Sequence, residues 1–352
     1  SKQNVAIHGD TIIVGAHNNG NKRGFVIVYA RNANGEWSQQ AKLVAPDGAA
    51  DDRFGYSVGI HGDTAIVGAL RDDDDGENSG SVHLFVRNGD TWMHQAKLVA
   101  PDAAASDWFG QSVGIHGDTV IVGAHRDDDD GENSGSVHMF VRNGDTWTHE
   151  AKLVAPDGDA KDYFGANVGI FGDTAIVGAP WDDNEYGEDS GSVHLFVREG
   201  NIWMHQVRLV APDGAAFDYF GRSVGIFEDT VIVSAFQDDD SGENSGSVHL
   251  FVRNRGIWVH QAKLLAPDGS SEDRFGRTFG IFGDTAIVGT DRDDDNGEQR
   301  GSVHFYVRNG ITWRHHAKII APKTGDQFGR SVDIYNGTAI SGSASGEVYV
   351  LD

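Results

Sequence analysis

The sequence predicts an all-β chain folded as a seven-bladed β-propeller of four-stranded antiparallel blades, and three observations predict it. A unit of about 55 residues recurs along the 352-residue chain, each unit holds four short extended segments, and those segments carry apolar residues on both faces. The repeat is plainest in "FGYSVGIHGDTAIVGA" at 54–69, which returns from 109, 164, 220, 275 and 328, at successive intervals of 55, 55, 56, 55 and 53 residues. A seventh copy, "NVAIHGDTIIVGA", opens at Asn4 without the FG pair. Residues 1–352 are therefore expected to form one domain of seven repeats, with a stacked solenoid as the competing architecture.

Within one unit the segments are Ser57 to Ile60, Thr64 to Gly68, Ser81 to Arg87 and Trp92 to Ala100, rich in Val, Ile, Phe or Trp and bounded by Gly, Asp and Asn. Asn88-Gly89 joins the third to the fourth and suits a type I′ turn, because both residues accept positive φ. A two-residue turn there pairs Arg87 with Asp90, Phe85 with Trp92 and His83 with His94. The fourth segment, marked by Trp37, Trp92, Trp147, Trp203, Trp258 and Trp313, occurs six times, and the chain ends in a third segment, "GEVYVLD". One blade therefore lacks its outer strand within this chain. Residues before Ser1 or a second copy would complete it, the latter giving a homo-polymer through the open edge.

Lys and Arg number 28 against 53 Asp and Glu, a formal charge of −25 that repels nucleic acid and anionic membrane surfaces and favours cations. Without cysteine there is no disulfide framework and no thiolate zinc site. No apolar run reaches the roughly 18–20 residues that span a bilayer, so direct membrane insertion is not expected. The opening "SKQNVAIHGD" lacks the regions of a signal peptide, which suits a soluble, processed chain.

The recurring FG, the following "VGA" (once "VGAP", Val177 to Pro180) and the strand after the acidic loop resemble FG-GAP repeats, the units of the integrin alpha-subunit propeller. The resemblance covers essentially the whole chain and implies a secreted or cell-surface propeller, often calcium-binding, used in adhesion or assembly. One departure matters. The integrin-type calcium loop lies between the first and second strands, where this chain has only "HGDT" or "FGDT". Its acidic runs fall one connection later, so the family's ligands do not transfer to them position by position.

Five units carry such a run, as in "DDDDGENSGS" from Asp72. Calcium takes six to eight hard oxygens, and a glycine lets carboxylates converge. Alternate side chains of an extended segment share a side, so the candidate ligands are Asp72, Asp74 and Glu77; Asp127, Asp129 and Glu132; Asp182, Asn184 and Glu188; Asp238, Asp240 and Glu243; and Asp293, Asp295 and Glu298. Up to five calcium ions are expected, against a solvated connection that merely maintains solubility. Asp51 and Asp52 share that face, which is expected to be strongly negative.

Five histidine pairs recur: His83/His94, His138/His149, His194/His205, His249/His260 and His304/His315. Two imidazoles make a poor metal site unaided, so cross-strand packing is the expectation. Trp108, Tyr163, Trp181 and Tyr219 flank the FG or GA turns and are candidate stacking surfaces for a glycan, and Asn336-Gly337-Thr338 is a glycosylation sequon. The charged features repeat across units and no single blade stands out as catalytic, which favours multivalent binding. The expected function is an extracellular calcium-binding adhesion, assembly or structural module, not an enzyme. Its partners would be proteins or glycans of a cell surface or matrix. A calcium-dependent lectin is the alternative, and a polysaccharide hydrolase or lyase a distant third.

Overall fold

The computed structural model describes residues 3–18, 20–294, 300–321, 325–344 and 346–351. The protein is a seven-bladed β-propeller, with no helix among the described residues. The blades are β1 (Gln3–His8), β2 (Thr11–Ala16), β3 (Val26–Arg31), β4 (Trp37–Leu43); β5 (Val58–His61), β6 (Thr64–Ala69), β7 (Ser81–Asn88), β8 (Thr91–Leu98); β9 (Ser112–His116), β10 (Thr119–Ala124), β11 (Ser136–Asn143), β12 (Thr146–Leu153); β13 (Asn167–Phe171), β14 (Thr174–Ala179), β15 (Ser192–Glu199), β16 (Ile202–Leu209); β17 (Val224–Phe227), β18 (Thr230–Ala235), β19 (Ser247–Asn254), β20 (Ile257–Leu264); β21 (Thr278–Phe282), β22 (Thr285–Thr290), β23 (Ser302–Asn309), β24 (Thr312–Ile320); and β25 (Ser331–Tyr335), β26 (Thr338–Gly342), β27 (Val348–Leu351). Six sheets have four strands in chain order and the last has three.

The chain divides into two compact units, one running to Ala175 and including Phe196–His205, the other holding Ile176–Leu195 and Gln206 onward. In the first unit β1, β5, β9 and β13 are successive neighbours; in the second β17, β21 and β25 are. First strands are thus innermost. Second strands such as β6 are buried along their whole length, as a strand covered on both faces requires, whereas the outer β8 is mostly half-exposed or exposed.

The FG and GA turns explain themselves as the joint between blades. Phe109 is fully buried, and its ring stands edge-on to His138 and Phe140 of its own blade at 5.6 and 6.1 Å. Its backbone reaches into the preceding blade, where its N–H donates to Ser79 O at 2.8 Å and it bridges to Gly80. Gly68, the glycine of "VGA", faces Gly110 so closely that a Cβ would overlap the Gly110 carbonyl oxygen. The second unit repeats the joint with Gly301 against Phe328 and Gly289 against Gly329.

The hairpin register differs from the sequence expectation. Asn88 pairs with Thr91, Arg87 with Trp92 and Phe85 with His94, so the loop is Gly89-Asp90 and not Asn88-Gly89. Gly89 has φ 61° while Asp90 is not left-handed, the pattern of a II′ rather than a I′ turn. A bulge between Leu84 and Phe85 then sets His83 opposite Lys97. In the fifth blade both loop residues, Arg255 and Gly256, have positive φ (52° and 84°), as type I′ demands.

Candidate functional site

The acidic loop leaves β6 and folds on its own carboxylates. Asp72 Oδ1 accepts the Asp74 N–H (3.1 Å), Asp73 Oδ1 accepts the Asn78 N–H (2.6 Å), and Gly76, at φ 137°, turns the chain back. Asp72 is only 5% exposed and anchors the loop, whereas Asp73, Asp74, Asp75 and Glu77 are exposed to solvent. Asp72 and Asp74 do converge, but the point where they meet is held by the ammonium of Lys97 on the outer strand β8. Its Nζ lies 2.8 Å from Asp72, 2.5 Å from Asp74 and 2.9 Å from Asp47, the last contributed by the connection after β4 of the preceding blade. Ser81 Oγ donates to Asp72 at 2.7 Å and lies 3.4 Å from His83 Nε2, while His83 Nδ1 is 3.0 Å from His94 Nε2. The histidines therefore meet through a hydrogen bond between tilted rings, not by facing backbone positions.

The arrangement repeats. Lys152 lies 2.7, 2.6 and 2.8 Å from Asp127, Asp129 and Asp102, with Ser136 and His138 behind. Lys263 lies 2.6, 2.7 and 2.9 Å from Asp238, Asp240 and Asp213. Lys318 lies 2.6 Å from Asp293 and 2.8 Å from Asp268, while Asp295 and Glu298 fall outside the described residues. In the fourth blade Arg208 replaces lysine and Asn184 replaces the second aspartate. The guanidinium reaches both oxygens of Asp182 at 2.7 Å, and the Asn184 amide turns to Gly191 O at 2.8 Å. A forked cation satisfies one carboxylate alone, so the second acid is dispensable. The first blade lacks the loop, and its Lys42 sits over the Phe25 ring at 4.1 Å instead.

The glutamates do not join these clusters. Glu77, Glu132, Glu188 and Glu243 are exposed, and their backbone carbonyls accept the N–H of Ser106, Lys161, Phe217 and Glu272 at 2.7–2.8 Å, tying each loop to the next FG segment. Among the described residues, the groups whose atoms lie close enough together for one ion are Asp47, Asp72, His83 and Asp102, Asp127, His138. The point between the three carboxylates is held by an ammonium, so calcium, which takes six to eight oxygens, would have to displace it to bind there. The lysines and the Asp47-type residues lie outside the loop, so the loop's own sequence does not announce them. The signal lies in "APD" before each run and in a basic residue after it, within "AKL" three times and within "VRL" and "AKI" once each.

Burial opposes the charge on Lys97, but its hydrogen bonds to Asp72, Asp74 and Asp47 outweigh this and hold its pKa above the ordinary value. Burial lowers His83, His138, His249 and His304 from 6.5 to about 4. A second buried carboxylate stands beside each loop. Asp107 accepts the Ala104 N–H at 2.7 Å, yet burial, together with loop carboxylates such as Asp127 and Asp238, pushes Asp107, Asp218 and Asp273 up to about 6.

These two sets titrate in opposition. The histidines are neutral in the native state, so their contribution is complete above about pH 6.5 and is lost as pH falls toward 4. The aspartates take protons first in the native state, so stability returns as pH falls from about 6 toward 4. Replacing Asp107, Asp218 and Asp273 with asparagine should therefore steepen acid destabilisation between pH 4 and 6 by up to about 4 kcal/mol per pH unit. Denaturation midpoints at pH 4.5, 5.5 and 6.5 measure it, and an unchanged profile contradicts it.

The face is not negative throughout: Asp51 is surrounded by Lys22, Arg53 and Arg71 at 3.4–3.7 Å. The candidate glycan platforms are half-buried and engaged. Trp108 has the Arg126 guanidinium 3.9 Å above its ring, Tyr163 lies 5.7 Å from His125, and Trp181 stands edge-on to Tyr219 at 5.9 Å. Asn336 is exposed in the two-residue turn between β25 and β26.

Blades joined through FG and GA turns, with a charged connection between second and third strands, define an integrin-alpha-like β-propeller. The chain belongs to the FG-GAP repeat family, which it matches over residues 37–85, 92–140, 147–196, 203–251 and 258–306. Each match starts at an outer strand and ends in the third strand of the next blade, so it spans an outer strand, the FG turn and the acidic loop that follows. The chain is 28% identical to integrin alpha-2 of Mus musculus over 197 residues, an alignment covering 52% of this chain and 15% of that much longer relative.

Proposed function

We propose that this chain is an extracellular or cell-surface adhesion and assembly module that binds proteins or glycans through its repeated loops and carries out no catalysis. The observation that carries the reading is the recurrence of one cation-centred joint in four blades with an arginine version in a fifth, since repetition builds multivalent surfaces whereas catalysis needs one blade to differ. The Asp72, Ser81, His83 chain supports it as well. Ser81 and its counterparts Ser136, Ser192, Ser247 and Ser302 are fully buried, and the serine gives its proton to the aspartate, which is the wrong direction for a nucleophile. Similarity to integrin alpha-2 fits the same reading. Beads coated with the protein should adhere saturably to immobilised matrix proteins or to a glycan array. Turnover of a polysaccharide without such adhesion would replace the reading with the enzymatic one.

Calcium enters as a competitor of the built-in lysines. It would have to release Lys97 from Asp72 and Asp74, and the observation in its favour is that burial and the neighbouring loop carboxylates push Asp107, Asp218 and Asp273 up to about 6, a cost that a divalent ion beside them would relieve. Calorimetric titration decides: heat with a rise in Tm supports calcium, and neither removes it. Assembly through the edge of β27 belongs to the same proposal, and a monodisperse monomer at high concentration would exclude it.

A further inference from the structure

The sixth blade departs from its siblings beside the FG turn. The residue two before the acidic run is Leu70, His125, Pro180 or Phe236 in the earlier blades and Asp291 here, and the residue after FG is Tyr56, Gln111, Ala166 or Arg222 earlier and Arg277 here. Asp291 is 2% exposed and receives Arg277 at 3.2 Å. Beside it Arg274 and Arg292 share one oxygen of Glu272, at 3.5 and 3.1 Å, and Arg330, from the next FG turn, donates to Gln327 at 2.6 Å. All of these residues lie in the second unit.

Four guanidiniums thus gather around two carboxylates and one amide oxygen. Each fork offers up to five N–H donors, so donors exceed the acceptors the chain supplies there. The Nε atoms of Arg274 and Arg330, and Asp291 Oδ1, have no hydrogen-bond partner among the described residues. Like charges this close repel within one Debye length, in a chain otherwise short of positive charge. Burial, then the neighbouring Arg292 and Arg277, lower the pKa of Arg274; burial and Arg277 lower that of Arg330. The second blade sets Arg53 and Arg71 around Asp51 in the same way as Arg274 and Arg292 around Glu272, but it has Tyr56, Leu70 and Gln111 where Arg277, Asp291 and Arg330 stand here, so the cluster here is larger by two guanidiniums. Planar forks at this density suit a tetrahedral oxyanion, which accepts several bidentate bonds and matches the excess of two positive charges.

We propose that Arg274, Arg277, Arg292 and Arg330 form a binding site for a dianionic oxyanion of the sulfate or phosphate kind, presented by a ligand at the loop face of the second unit. Asp291 orients Arg277, and Glu272 spaces Arg274 from Arg292. The site is independent of the adhesion reading and of calcium.

The test titrates the full chain with inorganic sulfate and, separately, inorganic phosphate, against chloride at matched ionic strength, reading heat and Tm. Saturable one-to-one binding is expected, weakened at least tenfold in the Arg292→Gln, Arg330→Gln double variant. The preferred anion identifies the source: sulfate points to a sulfated saccharide, phosphate to a phosphorylated partner. If the double variant does not keep the wild-type Tm in chloride, Arg330→Gln alone serves, because its side chain donates to Gln327 and anchors no carboxylate by a hydrogen bond. Absence of saturable binding by either anion, or binding undiminished in a folded variant, would overturn the proposal.

Discussion

Replacing Lys97 with methionine should destabilise the protein by about 3–5 kcal/mol, the cost of leaving a buried charge without its partner. The stem of methionine fills much the same space, so packing changes little and the effect isolates the ammonium. Without it Asp72, buried beneath the loop, keeps Ser81 and loses its counter-charge, while Asp47 and Asp74 press on it from both sides. A shift in denaturation midpoint measures the loss. Two further variants and one titration separate charge from packing. Asp72→Asn in the Lys97→Met background should recover more than half of the loss, which a purely steric account does not allow. Lys97→Arg with Asp74→Asn copies the Arg208 and Asn184 arrangement of the fourth blade and should cost less than about 1.5 kcal/mol, because a bidentate pair replaces a three-way one. Calcium should stabilise Lys97→Met more than the wild type, since the competing ammonium is gone.

Gly80→Ala should be as damaging, by a different route. Gly80 has φ 88°, and a Cβ there would overlap the Phe109 carbonyl oxygen, so the substitution both strains the backbone and separates two blades. Gly89→Ala is the control: φ is 61° and nothing lies within 4 Å, so only the left-handed penalty of about 1–2 kcal/mol remains. Phe109→Ala tests the other side of the joint. A fully buried ring against His138 and Phe140 should cost about 3–5 kcal/mol by lost transfer energy and cavity formation. Equal losses for Gly80→Ala and Gly89→Ala would show that close approach at the joint contributes nothing.

Much of the architecture could be read before any coordinates. Seven copies of the inner strands, six of the tryptophan strand and the short turn after the first strand all appear as expected, because each depends on residues within a few positions of one another. The hairpin register lies one residue from the expected one. Both Asn88-Gly89 and Gly89-Asp90 can form a two-residue turn, and what selects between them is the packing of Trp92 and Phe85 along the sheet together with a bulge that no local preference announces. The histidine pair survives that shift because side chains on neighbouring rungs still touch.

The loops show where local reading ends. From the sequence alone the acidic run, repeated with variation in five units, left two readings open, a cation site and a solvated turn. Tertiary structure decided which of the chain's own charges meets the run. Lys97 lies on another strand of the same sheet and Asp47 on the preceding blade, and only strand register combined with blade-to-blade stacking brings the three within hydrogen-bond reach. Composition and periodicity determine which charges exist and which strands carry them. Their meeting point depends on long-range contacts, and the ammonium already inside the chain takes the place because its own strand delivers it there without any loss of free ligand from solution.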